Sequence, residues 1–157
     1  MTFKKLEQAL RITKDGRNGI VFINSQPLET IEREVNGSAT PIKLNDEMTM
    51  WVSTELMSVN KLTNSSSLLS PYLKSFYNPF AQWLYQVNVA IVDDRFIYVG
   101  EYKGTDWVLG DVVITGRVSD DGEISPLTYE QQSDVFSCVS SCERFDGLVP
   151  VSAIPVG

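Results

Sequence analysis

Cys138 and Cys142 stand four residues apart, a spacing that on a helix sets both sulfurs on one face. Thiols placed this way can serve redox chemistry or contribute to a metal site. The face is apolar, however, and is shared with Val135, Val139 and Phe145. Buried cysteine behaves there as a small hydrophobe. Successive helical turns also hold the two side chains near-parallel, a poor geometry for a disulfide. Core packing is the expected role of both.

Carboxylates are the second chemical resource. Asp93, Asp94, Asp106, Asp111, Asp120, Asp121 and Glu123 crowd the connections of the second half of the chain. Loops at one end of a sheet can gather such groups around a hard cation. In a meander of three strands, the 93–95 turn and the 115–117 connection lie at one end and the 103–106 turn at the other, so the acids need not meet. The ordered spacing of a calcium loop is absent, and Asp120-Asp121-Gly122 is turn chemistry first. Paired carboxylates also suffice for glycoside hydrolysis. No spacing selects a pair among the 20 acidic residues, so neither a catalytic residue nor a metal ligand is assigned.

The chain contains no histidine. That removes the commonest general base near neutral pH and the commonest zinc ligand, and it excludes Ser-His and Cys-His triads. Phosphate-loop, dinucleotide and nucleophile-elbow patterns are missing as well. No cofactor is expected.

The aromatic segment is the most distinctive stretch. Tyr72, Phe76, Tyr77, Phe80, Trp83 and Tyr85 put six aromatics into fourteen residues, more than one helix face can bury. Tyr and Trp at a surface favour protein contacts. These six residues are the candidate protein-contact surface. The plainer alternative is a core helix with its hydroxyls at the edges. Base stacking is a weak third option, because only Lys61 and Lys74 stand nearby to meet phosphates.

These groups need elements to position them. The 157 residues suffice for one domain with a real core, and an apolar share of 43% argues against disorder. Phe3, Leu6, Ala9, Leu10 and Thr13 recur at helical spacing, which predicts a helix over Thr2–Lys14 stopped by Gly16. Gly19–Asn24 reads as a buried strand. Asn36-Gly37 is a turn signal that can join Ile31–Val35 to Pro41–Leu44 as a hairpin. Met48–Val52 alternates as a strand, and a short helix can follow from Thr54 to about Lys61. Ser70-Pro71 opens a helix that Asn78-Pro79 interrupts and restarts over Pro79–Tyr85. Val87–Val92, Phe96–Tyr102 and Trp107–Ile114 then read as a three-stranded meander. Thr128-x-x-Gln131 has the form of a capping box and starts a helix that ends at Gly147.

The expected fold is α+β, an antiparallel sheet of about five strands with an N-terminal helix, an aromatic middle helix and a C-terminal helix. Residues 1–157 are expected to be one domain, with 148–157 an extended tail. The net charge of −7, with no basic run, disfavours nucleic acid as a partner. No stretch has the apolar length of a membrane span, and charges break any signal-peptide core near the N-terminus, so a cytoplasmic location is expected. The sequence thus points to a non-enzymatic protein-binding or assembly subunit, of the inhibitor or of the virus or phage structural kind, with a protein partner or self-association. A small-ligand-binding domain and a carboxylate-based hydrolase, with or without a divalent cation, are the alternatives.

Overall fold

Lys14-Asp15-Gly16 turns the chain back on itself. Gly16 sits at φ +87°, a conformation that L side chains rarely adopt, and a Cβ there would come within 2.9 Å of the Phe80 ring. The turn joins β1 (Gln8–Ile12) and β2 (Asn18–Phe22) as an antiparallel hairpin. The computed structural model to which these strands belong describes residues 6–57, 75–85 and 108–144.

The helix expected over Thr2–Lys14 is therefore corrected over its described part: residues 8–12 are a strand. The cause is burial on both faces. Leu10 and Ile12 pack on one side of the sheet and Ala9 on the other, all fully buried. A strand covered on both faces loses its polar alternation, and the helix-like spacing there was coincidental. The glycine that reads as a helix stop is a hairpin glycine. β2 is likewise not a buried strand but an edge strand, in which Val21 alone is buried.

Pro27 occupies the first turn of α1 (Pro27–Val35), where its missing N–H is no loss. Asn36 closes the helix in the left-handed region, at φ 63°. The N–H groups of Asn36 and Gly37 donate to the carbonyls of Arg33 (3.3 Å) and Glu32 (2.9 Å), a Schellman closure. Asn36-Gly37 thus ends a helix and does not form the expected hairpin. Beyond it, β3 (Ala39–Lys43) pairs with β4 (Met48–Ser53), and residues 54–57 begin a helical turn.

β5 (Val112–Gly116) lies between β1 and β4, antiparallel to both, giving the order β2-β1-β5-β4-β3. Both sides of β5 are taken, so over these residues it is not the third strand of a meander. The other two runs of that meander lie outside the described residues. The result is an α+β fold with a five-stranded antiparallel sheet.

Each face of the sheet has its own cover. On one, Ile31 and Val35 of α1 pack on Ala9, Val21, Trp51 and Val113. The Trp51 indole donates to Thr115 Oγ1 at 2.9 Å, so its buried N–H is satisfied. On the other, α2 (residues 79–85) and α3 (Tyr129–Arg144) cover Leu10, Ile12, Met50 and Ile114 with Ala81, Leu84, Val135 and Val139. The capping box is formed: Gln131 N–H donates to Thr128 Oγ1 (3.1 Å), and Thr128 N–H donates to Gln131 Oε1 (2.9 Å). Cys138 is half-buried against this core. No helix among the described residues is long and apolar enough to cross a membrane.

Candidate functional site

An edge strand offers a row of backbone donors and acceptors to whatever lies beside it. The edges of this sheet are β2 and β3, and ladder register fixes which groups point outward. In the first hairpin Ile23 N–H donates to the Glu7 carbonyl (3.0 Å) and Thr13 N–H to that of Arg17 (3.1 Å). Both pairs continue the β1–β2 register, and hydrogen-bonded pairs alternate along an antiparallel ladder. The backbone groups of Asn18, Ile20 and Phe22 therefore point away from β1, along the side of β2 on which no described strand pairs.

The same reasoning gives a different result for β3. Leu44 N–H donates to the Met48 carbonyl (3.0 Å) and Thr54 N–H to that of Ser38 (2.9 Å), so Ala39, Pro41 and Lys43 face outward. Pro41 has no N–H at the middle of that row, and Lys43 adds a charge beside it. Both are devices that keep an edge from pairing. β2 carries neither.

The side chains reinforce the contrast. Ile20 and Phe22 are 50% and 53% exposed. They stand opposite Leu10 and Gln8 of β1, hence on the face covered by α3. Gln132 Nε2 of α3 donates to Gln8 Oε1 (3.1 Å), and Gln131 Nε2 donates to the Glu47 carbonyl (3.3 Å). The Gln132 flank of α3 thus looks toward β1 and β2. Tyr129 and Phe136, three residues before Gln132 and four after, share that flank. They are 83% and 37% exposed and border a shallow hollow of about 460 Å³. On the α1 face, a second hollow of about 400 Å³ lies beside β2, lined by Arg11, Gly19, Thr30 and Glu34 among others. Arg11 there is ion-paired to Glu34 at 2.7 Å.

A polar hollow of about 570 Å³ lies over β3 and β4, with Lys43, Asp46, Glu47, Arg117 and Asp120 on its walls. Lys43 Nζ lies 3.0 Å from Asp46 Oδ1, and the hydrogen bond it donates, together with its charge, holds that carboxyl below its ordinary value. Asp111 accepts the Lys14 backbone N–H at 3.1 Å. Asp121 accepts from the Ser119 hydroxyl, which with the Glu123 N–H also lowers its pKa. Asp15, bonded to the Thr13 hydroxyl, is shifted the same way. A general acid needs the opposite shift. Among the described residues no group of three acidic or cysteine side chains is placed to hold a metal ion. Asp93, Asp94 and Asp106 lie outside them.

The six aromatic candidates have separate environments. Tyr72 lies outside the described residues. Phe76 is half-buried with Lys14 Nζ 5.6 Å from its ring centre, a cation–π contact. Half-buried Tyr77 forms a bridge with Leu109. Phe80 packs on the core, Trp83 is half-buried, and Tyr85 belongs to the core itself. Phe76 and Tyr77 precede α2 and are not helical.

Sequence reasoning did not single out Ile20, Phe22, Tyr129 or Phe136. The available signal was the uncharged, proline-free run Asn18–Ser25. Comparison of the chain with known protein families, with curated proteins and with solved structures finds no match in any of the three.

Proposed function

We propose that the chain is a non-enzymatic protein-binding or assembly subunit, of the small-inhibitor or of the virus or phage structural kind, whose contact element is the outer edge of β2. The observation that carries this is the asymmetry of the two edges. Pro41 and Lys43 block β3, while β2 leaves the backbone groups of Asn18, Ile20 and Phe22 facing outward beneath two exposed apolar side chains. Such an edge binds by strand addition: backbone hydrogen bonds give affinity, and the hollow beside β2 on the α1 face receives side chains of the added strand. A protein supplies that chemistry; nucleic acid does not, and the net charge of −7 also disfavours phosphates. The reading carries with it a cytoplasmic location. Within the Tyr72–Tyr85 segment, the half-buried Phe76, Tyr77 and Trp83 are a secondary contact region; Tyr72 lies outside the described residues and Tyr85 is in the core.

The test is affinity capture with the wild-type chain and with Ile20→Pro. The Ile20 N–H points outward, so proline there copies the protection Pro41 gives β3 and spares the bonds to β1. The partner recovered with the wild type is expected to be lost with Ile20→Pro. Recovery of that partner at unchanged stoichiometry by a folded Ile20→Pro chain would refute the edge as the contact element.

A further inference from the structure

Resting on that reading, we infer that the strand added to β2 is the β2 of a second copy of this chain, paired antiparallel about a two-fold axis through Ile20. The hydrogen-bonding row is self-complementary about that residue. Asn18, Ile20 and Phe22 all face outward, so a two-fold at Ile20 sets Ile20 against itself and Asn18 against Phe22. Each opposed pair of outward-facing residues is then a hydrogen-bonded pair, and no outward group lacks a counterpart.

The side chains fit the same register. On the α1 face it places Gly19 opposite the second copy's Val21. Nothing lies within 4 Å of where a Cβ at Gly19 would stand, so no side chain there obstructs the approach of the second strand. On the α3 face the axis brings both copies of Ile20 together with both copies of Phe22 beside them. No charge occurs from Asn18 to Ser25, so the acidic excess of the chain raises no repulsion at the seam.

Area favours a second copy over a lone extended peptide. A specific interface covers about 800 Å² on each partner, more than a five-residue strand offers by itself. A single peptide strand covers Ile20 and Phe22 but leaves Tyr129 and Phe136 exposed on the flank of α3. A second copy brings its own α3 flank to the same side of the joined sheet. Closed two-fold pairing is also the commonest form of self-assembly, and it covers the edge that, among the described residues, carries no proline or charge in its outward row.

The experiment is sedimentation equilibrium of the full chain and of Ile20→Pro, joined to cysteine cross-linking. The wild type is expected at twice the 17.6 kDa of one chain. Ile20→Pro is expected to raise the dimer dissociation constant at least about tenfold, the loss of one central contact. Opposed residues of a hydrogen-bonded pair have Cα atoms about 5.5 Å apart, within disulfide range. Mild oxidation should therefore cross-link Ile20→Cys into dimers, whereas Phe22→Cys, which faces Asn18 of the other copy, should stay at the wild-type background set by Cys138 and Cys142. That cross-link holds as a readout even where the proline variant fails to fold. A wild type that is monomeric at every concentration overturns the second-copy inference, and leaves the edge reading standing if partner capture is still lost in Ile20→Pro. A dimer that persists in folded Ile20→Pro overturns both. Cross-linking of Phe22→Cys in place of Ile20→Cys overturns the register.

Discussion

Asn78 ties three parts of the fold together, and its replacement separates two kinds of stabilisation. The side chain is fully buried. Its Oδ1 accepts the Ala81 N–H at 3.0 Å, capping α2 ahead of Pro79. Its Nδ2 donates to the Ile12 carbonyl at the end of β1 (3.0 Å) and to the Gly110 carbonyl just before β5 (2.8 Å). Asn78→Ala removes a cap, for about 1 kcal/mol, and strips a donor from the buried Ile12 carbonyl and the part-buried Gly110 carbonyl, for about 1 kcal/mol each. The expected loss is about 3 kcal/mol, or roughly 6–12 °C in Tm for a chain of this size. Asn78→Asp is the decisive variant, because it keeps the capping oxygen and turns both donors into acceptors. It should destabilise at least as much as alanine at neutral pH. Its penalty should shrink as the pH falls, because the buried carboxyl then takes up a proton more readily in the folded than in the unfolded chain. The assay is urea unfolding followed by tryptophan fluorescence at two pH values. An Asn78→Asp chain within about 0.5 kcal/mol of wild type would show that the cap alone matters and that the cross-ties contribute nothing.

Two further outcomes follow from local geometry. Gly116→Ala should cost about 1–3 kcal/mol in equilibrium unfolding, because a Cβ there would lie 2.6 Å from the Pro126 carbonyl and 3.0 Å from that of Ser125, both backbone atoms that must move. Asp121→Asn should lower stability at neutral pH, since the Asp121 carboxylate is held below its ordinary value of 3.8 by the Ser119 hydroxyl and the Glu123 N–H. A lowered carboxyl contributes above its unfolded value and loses that contribution as the pH falls through the folded one. The gap between wild type and variant should therefore be constant above pH 3.8 and close below it, as thermal melts across the acid range will report.

Features set by neighbouring residues were legible in the sequence. The Thr128–Gln131 box and the helix start at Asn78-Pro79 each depend on bonds within a few residues, and each is present. Met48–Val52 is a strand as expected, but all of its residues are buried and the alternation does not mark an exposed face. Asn36-Gly37 was a real left-handed signal, but its partner depends on what precedes it. Pro27 in a first turn, followed by Ile31 and Val35 on one face, makes that a helix. β1 was misread because its burial on both faces comes from α1 on one side and α3 on the other, and neither shows in residues 8–12. The edge was the least legible of all. Ile20 and Phe22 have the composition of covered residues, and only the strand order reveals that nothing in the described structure covers them.

The position of β5 bears on how the chain is made. β1 with β2 and β3 with β4 are hairpins that can form early, each from nearby residues. Their inner margins meet only when β5 enters between them, pairing Leu10 with Ile114 and Met50 with the same residue. On the ribosome, everything up to Gly110 can emerge while the sheet is still two separate halves. Such long-range closure is slow and aggregation-prone, since unpaired strands wait for their neighbour. The last third of the chain is the keystone that joins the halves, and synthesis halted before it would leave the facing margins of β1 and β4 without the strand that pairs with both.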